Sequence, residues 1–166
     1  MLELGPKDTL FDLGAGDGRV VLCAAKWFGA AAIGIEVDGS LIEAQLQPLV
    51  QKLKNDCDFC FQAAAAHIEA ESATVRELTS MRQEDLYSEA VLQDVEKHAT
   101  AVHLYLIPTA LERIRPALEA RLSSGTRVLT VGYPLLSAEE AAVGTEWDEL
   151  GAAQALDLEL FAYRKK

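Results

Sequence analysis

The chain has 166 residues, of which 50% are hydrophobic and 25% are charged, the composition of one folded domain. Acidic residues outnumber basic ones by 26 to 15, and the net charge of −11 disfavours nucleic acid as a partner, because nucleic acid binds basic surfaces. No stretch reaches the ~18 continuous apolar residues of a membrane span. The opening MLELGPKDTL has the features of neither a signal peptide nor a mitochondrial transit segment. We therefore expect a single domain over residues 1–166.

The first third of the chain alternates between strand and helix patterns. Residues 9–13 form a short apolar run that stops at glycines, as a buried strand does. Residues 18–27 carry apolar side chains at helical spacing. A second strand pattern covers residues 31–37, and helical spacing returns over residues 41–53. This alternation predicts a parallel sheet that is covered by helices.

The rest of the chain adds strands and one ambiguous segment. The alanine-rich residues 55–76 predict an inserted or lengthened helix. Three more strand patterns follow, at 78–81, 101–107 and 127–133. Helical spacing over 111–122 contains Pro116, which predicts a kink or a restart there. Two closing strands, at 146–150 and 156–163, are joined by residues 151–154 and should pair antiparallel. The expected fold is α/β, a mostly parallel sheet with an antiparallel C-terminal strand pair.

A glycine-rich turn, DLGAGDG at residues 12–18, separates the first strand from the first helix. Glycines here allow a tight turn and let a ligand approach the backbone. A P-loop is excluded because no Gly-Lys-Ser or Gly-Lys-Thr follows. The GxGxG spacing and the carboxylates of Asp12 and Asp17 differ from the neutral turn that binds a pyrophosphate. They favour a ligand with an ammonium group, a cationic sulfur and no phosphate, such as S-adenosylmethionine (SAM).

Two further acids follow predicted strands. Glu36 ends the second strand at about 20 residues from the turn, the distance at which an acid chelates ribose hydroxyls in this class of fold. The first two strands are neighbours, so both strand ends should open onto one crevice. Asp85 follows the third predicted strand. It is a candidate acceptor for the adenine amino group, and a helix cap is the competing interpretation.

These residues resemble known motifs. DLGAGDGR and GIEVD resemble the first and second motifs of the class I SAM-dependent methyltransferases. The segment VHLYLIPTALERIRPALEARLSSGTRVLTVGYPL resembles a narrower group, which contains the mitochondrial protein-lysine methyltransferases of the ATP synthase c-subunit and the adenine nucleotide translocase, and bacterial relatives. The resemblance implies a seven-stranded Rossmann-like sandwich, SAM as cofactor and S-adenosylhomocysteine (SAH) as product. The cofactor-binding residues that we expect are Asp12, Gly14, Ala15, Gly16, Gly18, Glu36, Val37 and Asp85.

Methyl transfer from a sulfonium requires alignment more than a fixed catalytic dyad. The substrate channel should lie at the end of the fourth strand, where Tyr105 and Pro108 are candidate lining residues. A sheet-core position is the competing interpretation of Tyr105, and we expect His103 to be buried and hydrogen-bonded. Residues 104–108 lack the Asn/Asp-Pro-Pro-aromatic motif, which argues against the adenine, cytosine and glutamine methylases that use it.

We expect a SAM-dependent methyltransferase that modifies a protein lysine. The alternatives are a small-molecule methyltransferase and a non-catalytic SAM-binding domain. No metal is expected, because Cys57 and Cys60 lack the further ligands of a zinc site. The sequence alone favours a cytoplasmic location. The resembling group carries a segment before its first strand, so a mitochondrial location follows if residues precede Met1. The oligomeric state stays open.

Overall fold

The computed structural model describes residues 1–37, 68–69, 71–137, 139–140, 145–155 and 157–166. Its strands are β1 (Thr9–Leu13), β2 (Ala31–Glu36), β3 (Thr79–Gln83), β4 (Ala101–Leu104), β5 (Arg127–Val131), β6 (Trp147–Ala155) and β7 (Leu158–Lys165). Its helices are α1 (Arg19–Phe28), α2 (Ala73–Leu78), α3 (Glu89–His98) and α4 (Pro108–Arg121). None of these described helices is long and apolar enough to cross a membrane. The predicted helix at 41–53, most of the predicted insertion at 55–76, and Cys57 and Cys60 lie outside the described residues.

The strands of the described chain form one sheet in the order β3-β2-β1-β4-β5-β7-β6. Strands β1 to β5 are parallel, and β7 is antiparallel to β5 and β6. This confirms the predicted α/β sheet with an antiparallel closing pair. Strands β2 and β3 are added on one side of β1, whereas β4 and β5 are added on its other side. The order of the strands therefore switches between β1 and β4, which lie side by side. Ligands of open parallel sheets bind at such a switch point, outside the carboxyl ends of the strands.

Helices cover both faces of the sheet because side chains alternate along each strand. Phe11 and Leu13 of β1 face one core cluster, to which the apolar sides of α3 and α4 contribute. Leu10 faces the opposite way, toward α1, where it packs in a smaller cluster with Val21 and Ala24. The central strands are thus buried on both sides, which leaves their carboxyl ends as the exposed edge.

Glycines flank α1 on both sides, as its sequence pattern predicts. Gly18 precedes the helix with a φ of 70°, and Gly29 follows it with a φ of 65°. Both values lie in the left-handed region, which glycine adopts without a steric penalty. Because α1 begins directly after the glycine turn, its first backbone N–H groups lie at the carboxyl edge of the sheet.

Two elements in the middle of the chain differ from the prediction. The sequence analysis did not predict α3, although Ser88 caps it by accepting a hydrogen bond from the Val91 N–H at 3.3 Å. The fourth strand ends at Leu104 rather than at residue 107, because the chain leaves the sheet there to begin α4 at Pro108. Residues 105–107 therefore form a connection at the carboxyl edge.

The predicted turn between the last two strands also differs. Residues 151–154, predicted as a turn, lie within β6, which pairs with β7 across an irregular register between Glu149 and Gly151. The predicted turn residues are small enough to continue the strand at the edge of the sheet. Pro116 lies inside α4, which runs from residue 108 to 121 without a restart.

Candidate functional site

The glycine turn lies at the carboxyl end of β1 and is fixed against β2. The backbone N–H groups of Gly14 and Ala15 donate to the Ile35 carbonyl oxygen at 2.8 and 3.0 Å. Gly14 and Gly16 have φ values of 88° and 53°, a region in which any other residue is strained. The carboxyl ends of the first two strands are therefore joined at one edge of the sheet, as their adjacency predicts.

Glu36 ends β2 and joins that strand to the turn. Its Oε2 accepts a hydrogen bond from the Gly16 N–H at 2.6 Å, and its Oε1 accepts one from the Val37 N–H at 3.1 Å. Burial raises the pKa of Glu36, the two backbone hydrogen bonds lower it, and the negative charge of Asp12 raises it, with a net increase. Asp12 and Glu36 lie near the carboxyl ends of paired neighbouring strands, so the two carboxylates belong to one site.

The carboxylate of Asp17 has a basic neighbour inside the turn itself. Its Oδ1 accepts a hydrogen bond from Nε of Arg19 at 2.8 Å. The guanidinium offsets part of the negative charge that Asp17 gives to the turn, and the contribution of Asp17 to ligand choice stays a prediction. The second acid beside Asp12 is Glu36.

Asp12 and His103 form a buried pair at the switch point. The His103 Nδ1 lies 2.7 Å from Asp12 Oδ1, and the two residues are 6% and 1% exposed. This confirms that His103 is buried and hydrogen-bonded. The other oxygen, Asp12 Oδ2, is buried and has no hydrogen-bond partner among the described residues. Within those same ranges no group of three or more His, Cys, Asp or Glu side chains is arranged to hold a metal ion.

The unpartnered Asp12 oxygen and the space beside Gly16 fit a ligand with an ammonium group. A buried acceptor without a partner is unfavourable, and a cationic donor satisfies it. A Cβ built on Gly16 would have no described atom within 4 Å, whereas one on Gly14 would lie 2.8 Å from Leu106 Cδ2. Leu106 thus covers Gly14, and no part of the described chain covers Gly16. The turn has one packed side and one side that a ligand can approach.

Asp85 lies at the same edge, two residues beyond β3. The Glu84 N–H donates to the Glu36 carbonyl oxygen at 2.9 Å, which ties this segment to the end of β2. Asp85 Oδ1 accepts a hydrogen bond from the Tyr87 N–H at 2.9 Å, in the turn that leads to α3. The residue that caps α3 is Ser88, so the helix-cap interpretation of Asp85 is wrong. Its role toward adenine stays a prediction.

The predicted channel residues, Tyr105 and Pro108, follow β4 at the carboxyl edge. Tyr105 is 57% exposed, so a sheet-core position is wrong for it. Pro108 is exposed in the first turn of α4, where the missing proline N–H is not needed. Sequence reasoning missed Tyr133, which follows β5 and is 46% exposed. The Tyr105 ring lies 3.7 Å from the position that a Cβ on Gly132 would occupy. Tyr105 is therefore beside the residue that directly precedes Tyr133.

A groove of about 520 Å³ adjoins Tyr133 and runs along α4. Arg115 donates two hydrogen bonds to Glu140 in this groove, at 2.6 and 2.8 Å. These hydrogen bonds, together with hydrogen bonds to Ser137, lower the pKa of Glu140 to about 2. Glu112 and Glu139 also line the groove, so its carboxylates outnumber its guanidinium.

Known proteins share this architecture, although no family model matches the chain. A protein-lysine N-methyltransferase from Saccharolobus islandicus is 29% identical over 134 residues, which are 78% of this chain and 67% of that protein. An RNA methyltransferase from Salinibacter ruber, solved with S-adenosyl-L-homocysteine, is 26% identical with a TM-score of 0.63, over 99% of this chain and 84% of that one. TYW2 from P. horikoshii, solved with MeSAdo, is 17% identical with a TM-score of 0.62, over 98% of this chain and 58% of that one. This last likeness shows the fold alone.

The class of the protein follows from the site and from these relatives. The site combines the switch point of the sheet, the glycine turn and the acid at the end of β2. The protein is a class I SAM-dependent methyltransferase, with the predicted Rossmann-like sandwich and SAM as its cofactor. The narrower resemblance to the mitochondrial protein-lysine methyltransferases stays a prediction.

Proposed function

We propose that this methyltransferase acts on the ε-amino group of a protein lysine. The observation that carries the proposal is the rim of the site, where the exposed Tyr133 lines the acidic groove along α4 and the exposed Tyr105 lies beside Gly132. Aromatic faces and carboxylates attract a cationic side chain, whereas a polyanionic acceptor would be repelled. The name of the Saccharolobus islandicus relative supports the same acceptor.

The residues that we assign to the cofactor surround the glycine turn. Asp12 Oδ2 would accept a hydrogen bond from the cofactor's ammonium group, the Glu36 carboxylate from its ribose hydroxyls, and Asp85 from its adenine amino group. Gly16 leaves the backbone open to close approach. The turn and strand residues that shape this cradle are Gly14, Ala15, Gly18 and Val37. When bound, SAM supplies an electrophilic methyl group for in-line displacement by the acceptor nitrogen.

Tyr105 and Pro108 are proposed to line the channel that admits the acceptor. A lysine amine has a pKa of about 10.4 in water and must lose its proton before it is nucleophilic. The acidic groove would attract the charged lysine from solvent. The tyrosine and proline would then exclude water, and a water-poor channel lowers the lysine pKa because it disfavours the charged form.

The acceptor is tested with SAM that carries a labelled methyl group. The protein is incubated with basic proteins, with their Lys-to-Arg variants, with total RNA and with a small-molecule extract. We expect label in protein, recovery of methyl-lysine after hydrolysis, and loss of label in the matching Lys-to-Arg variant. The control is Gly16→Val, which should transfer no label to any fraction.

Three outcomes would contradict the lysine proposal while leaving the class intact. Label in RNA would mean that this chain modifies RNA, the acceptor named for the Salinibacter ruber relative. Label in the small-molecule fraction would favour a metabolite acceptor. SAH binding without transfer to any fraction would favour a non-catalytic SAM-binding domain.

A further inference from the structure

We infer that His103 is a positioning residue for the cofactor: it fixes the Asp12 carboxylate so that Oδ2 stays available to the cofactor's ammonium group. The inference rests on the role proposed above for Asp12. His103 itself is not assigned a contact with the cofactor or with the acceptor.

The sheet places the two residues together. In the parallel pairing of β1 with β4, Asp12 lies opposite His103, so their side chains share one face of the sheet. They are 91 positions apart in the chain, and their side chains meet at 2.7 Å. A carboxylate only accepts hydrogen bonds, so with Asp12 ionised the proton of this bond is on His103 Nδ1.

The remainder of the His103 ring has apolar surroundings. It lines a cavity of about 370 Å³ on the α1 side of the sheet, where Glu3 has a charged side chain and where Leu10, Val20 and Leu129 are among the apolar lining residues. Among the described residues, Asp12 is the only side chain hydrogen-bonded to the ring. The bond between Nδ1 and Asp12 is therefore the polar side-chain contact that the described residues offer this ring.

The consequence for Asp12 follows from its two oxygens. Oδ1 is held by His103, and Oδ2 is buried without a partner among the described residues. Without the histidine, the carboxylate could turn or take up water, and neither oxygen would be fixed in place. A fixed acceptor binds a cationic donor better because less ordering is needed on binding.

The inference is tested with two ligands and with two variants of His103 whose new side chains have nearly equal shape. SAH has the α-ammonium group, and 5′-methylthioadenosine lacks the amino acid portion. His103→Asn retains an N–H donor, and His103→Leu has a similar shape without one. Leu129→Ala is the matched packing control, because Leu129 lies beside His103 on β5 and lines the same cavity.

Affinities are measured by calorimetry, and folding by circular dichroism. We expect His103→Leu to weaken SAH binding about tenfold, the size of one hydrogen bond to a charged group, with 5′-methylthioadenosine affinity within about twofold. His103→Asn should recover at least part of the loss. Leu129→Ala should lower the melting temperature and leave both affinities nearly unchanged. If the Leu variant does not fold, His103→Ala replaces it in the same comparison.

The positioning role would be overturned if His103→Leu weakened the binding of SAH and of 5′-methylthioadenosine equally. It would also be overturned if His103→Asn and His103→Leu bound SAH with equal affinity. Failure of the wild-type chain to bind either ligand is a different result. It would refute the assignment of the cofactor site itself, on which the inference rests.

Discussion

Replacing Glu36 by glutamine removes a negative charge at nearly constant side-chain volume. The residue is 9% exposed, and its carboxylate accepts hydrogen bonds from the N–H groups of Gly16 and Val37. If it also accepts from both ribose hydroxyls, each charge-assisted bond contributes roughly 1.5–3 kcal/mol before water compensates. We expect a net loss of about 2–3 kcal/mol for Glu36→Ala, or ~30–150-fold in affinity. Glu36→Gln should lose less, because its amide accepts only one such bond well.

The negative charge of Glu36 should strengthen cofactor binding but lower the stability of the fold. Burial and the charge of Asp12 raise the pKa of Glu36 above its ordinary value of 4.5, despite two backbone hydrogen bonds. For an acid with a raised pKa in the folded state, stability is greatest below the unfolded-state pKa and falls as pH rises through the folded-state pKa. Ionised Glu36 therefore destabilises the fold at neutral pH. Glu36→Gln should change the melting temperature little, because the loss of a buried charge offsets the loss of one of the two backbone hydrogen bonds, from Gly16 or Val37.

Both quantities are measured on the same proteins, SAH affinity by titration calorimetry and melting temperature by scanning calorimetry. Glu77→Gln is the matched control, because Glu77 is an exposed carboxylate on α2 and its loss should change neither quantity. A lower melting temperature with unchanged SAH affinity in Glu36→Gln would refute the reasoning. It would assign Glu36 to holding the sheet edge.

The same geometry determines three other measurements. Cofactor affinity should fall as pH is lowered through the raised pKa of Glu36, because protonation removes an acceptor. If affinity depended on pH equally steeply in Glu36→Gln, this prediction would be contradicted. Gly16→Val should abolish SAH binding and keep a folded circular dichroism spectrum, because its side chain meets no described atom within 4 Å, although strain at a φ of 53° should lower the melting temperature. Gly34→Ala, whose Cβ would approach neighbouring side chains within 3.0 Å, should instead lower the melting temperature. Tyr105→Ala should slow methyl transfer at unchanged SAH affinity, whereas Trp27→Ala, an exposed position on α1, should change neither.

The sequence predicts the first strands and the turn well because their determinants are local. The run at β1, the glycines of the turn and Gly29 each act within a few residues. The Glu36 position could also be predicted, since an acid at the end of β2 needs only the spacing from the turn. The structure adds that this carboxylate binds Gly16, a contact between two elements that no spacing rule specifies.

The parts that were not predicted depend on contacts between distant segments. The pairing of Asp12 with His103 follows from the register of β1 and β4, which neither strand's pattern encodes. The end of β4 is set by where α4 docks, and this decides that Tyr105 is exposed. By contrast, α3 carried a local signal, since Ser88 precedes apolar residues at helical spacing.

Two buried carboxylates at one site decide which charge a ligand must carry to fit. Asp12 Oδ2 makes no hydrogen bond with the described residues, and the charge of Asp12 contributes to the raised pKa of Glu36. A ligand with an ammonium group supplies the positive charge and the donor that Asp12 lacks. A dinucleotide would bring the negative charge of its pyrophosphate to the glycine turn, where Asp12 repels it. The glycine turn and an acid at the end of the second strand suit both ligand classes, so Asp12, and the His103 bond to it, decide between the two.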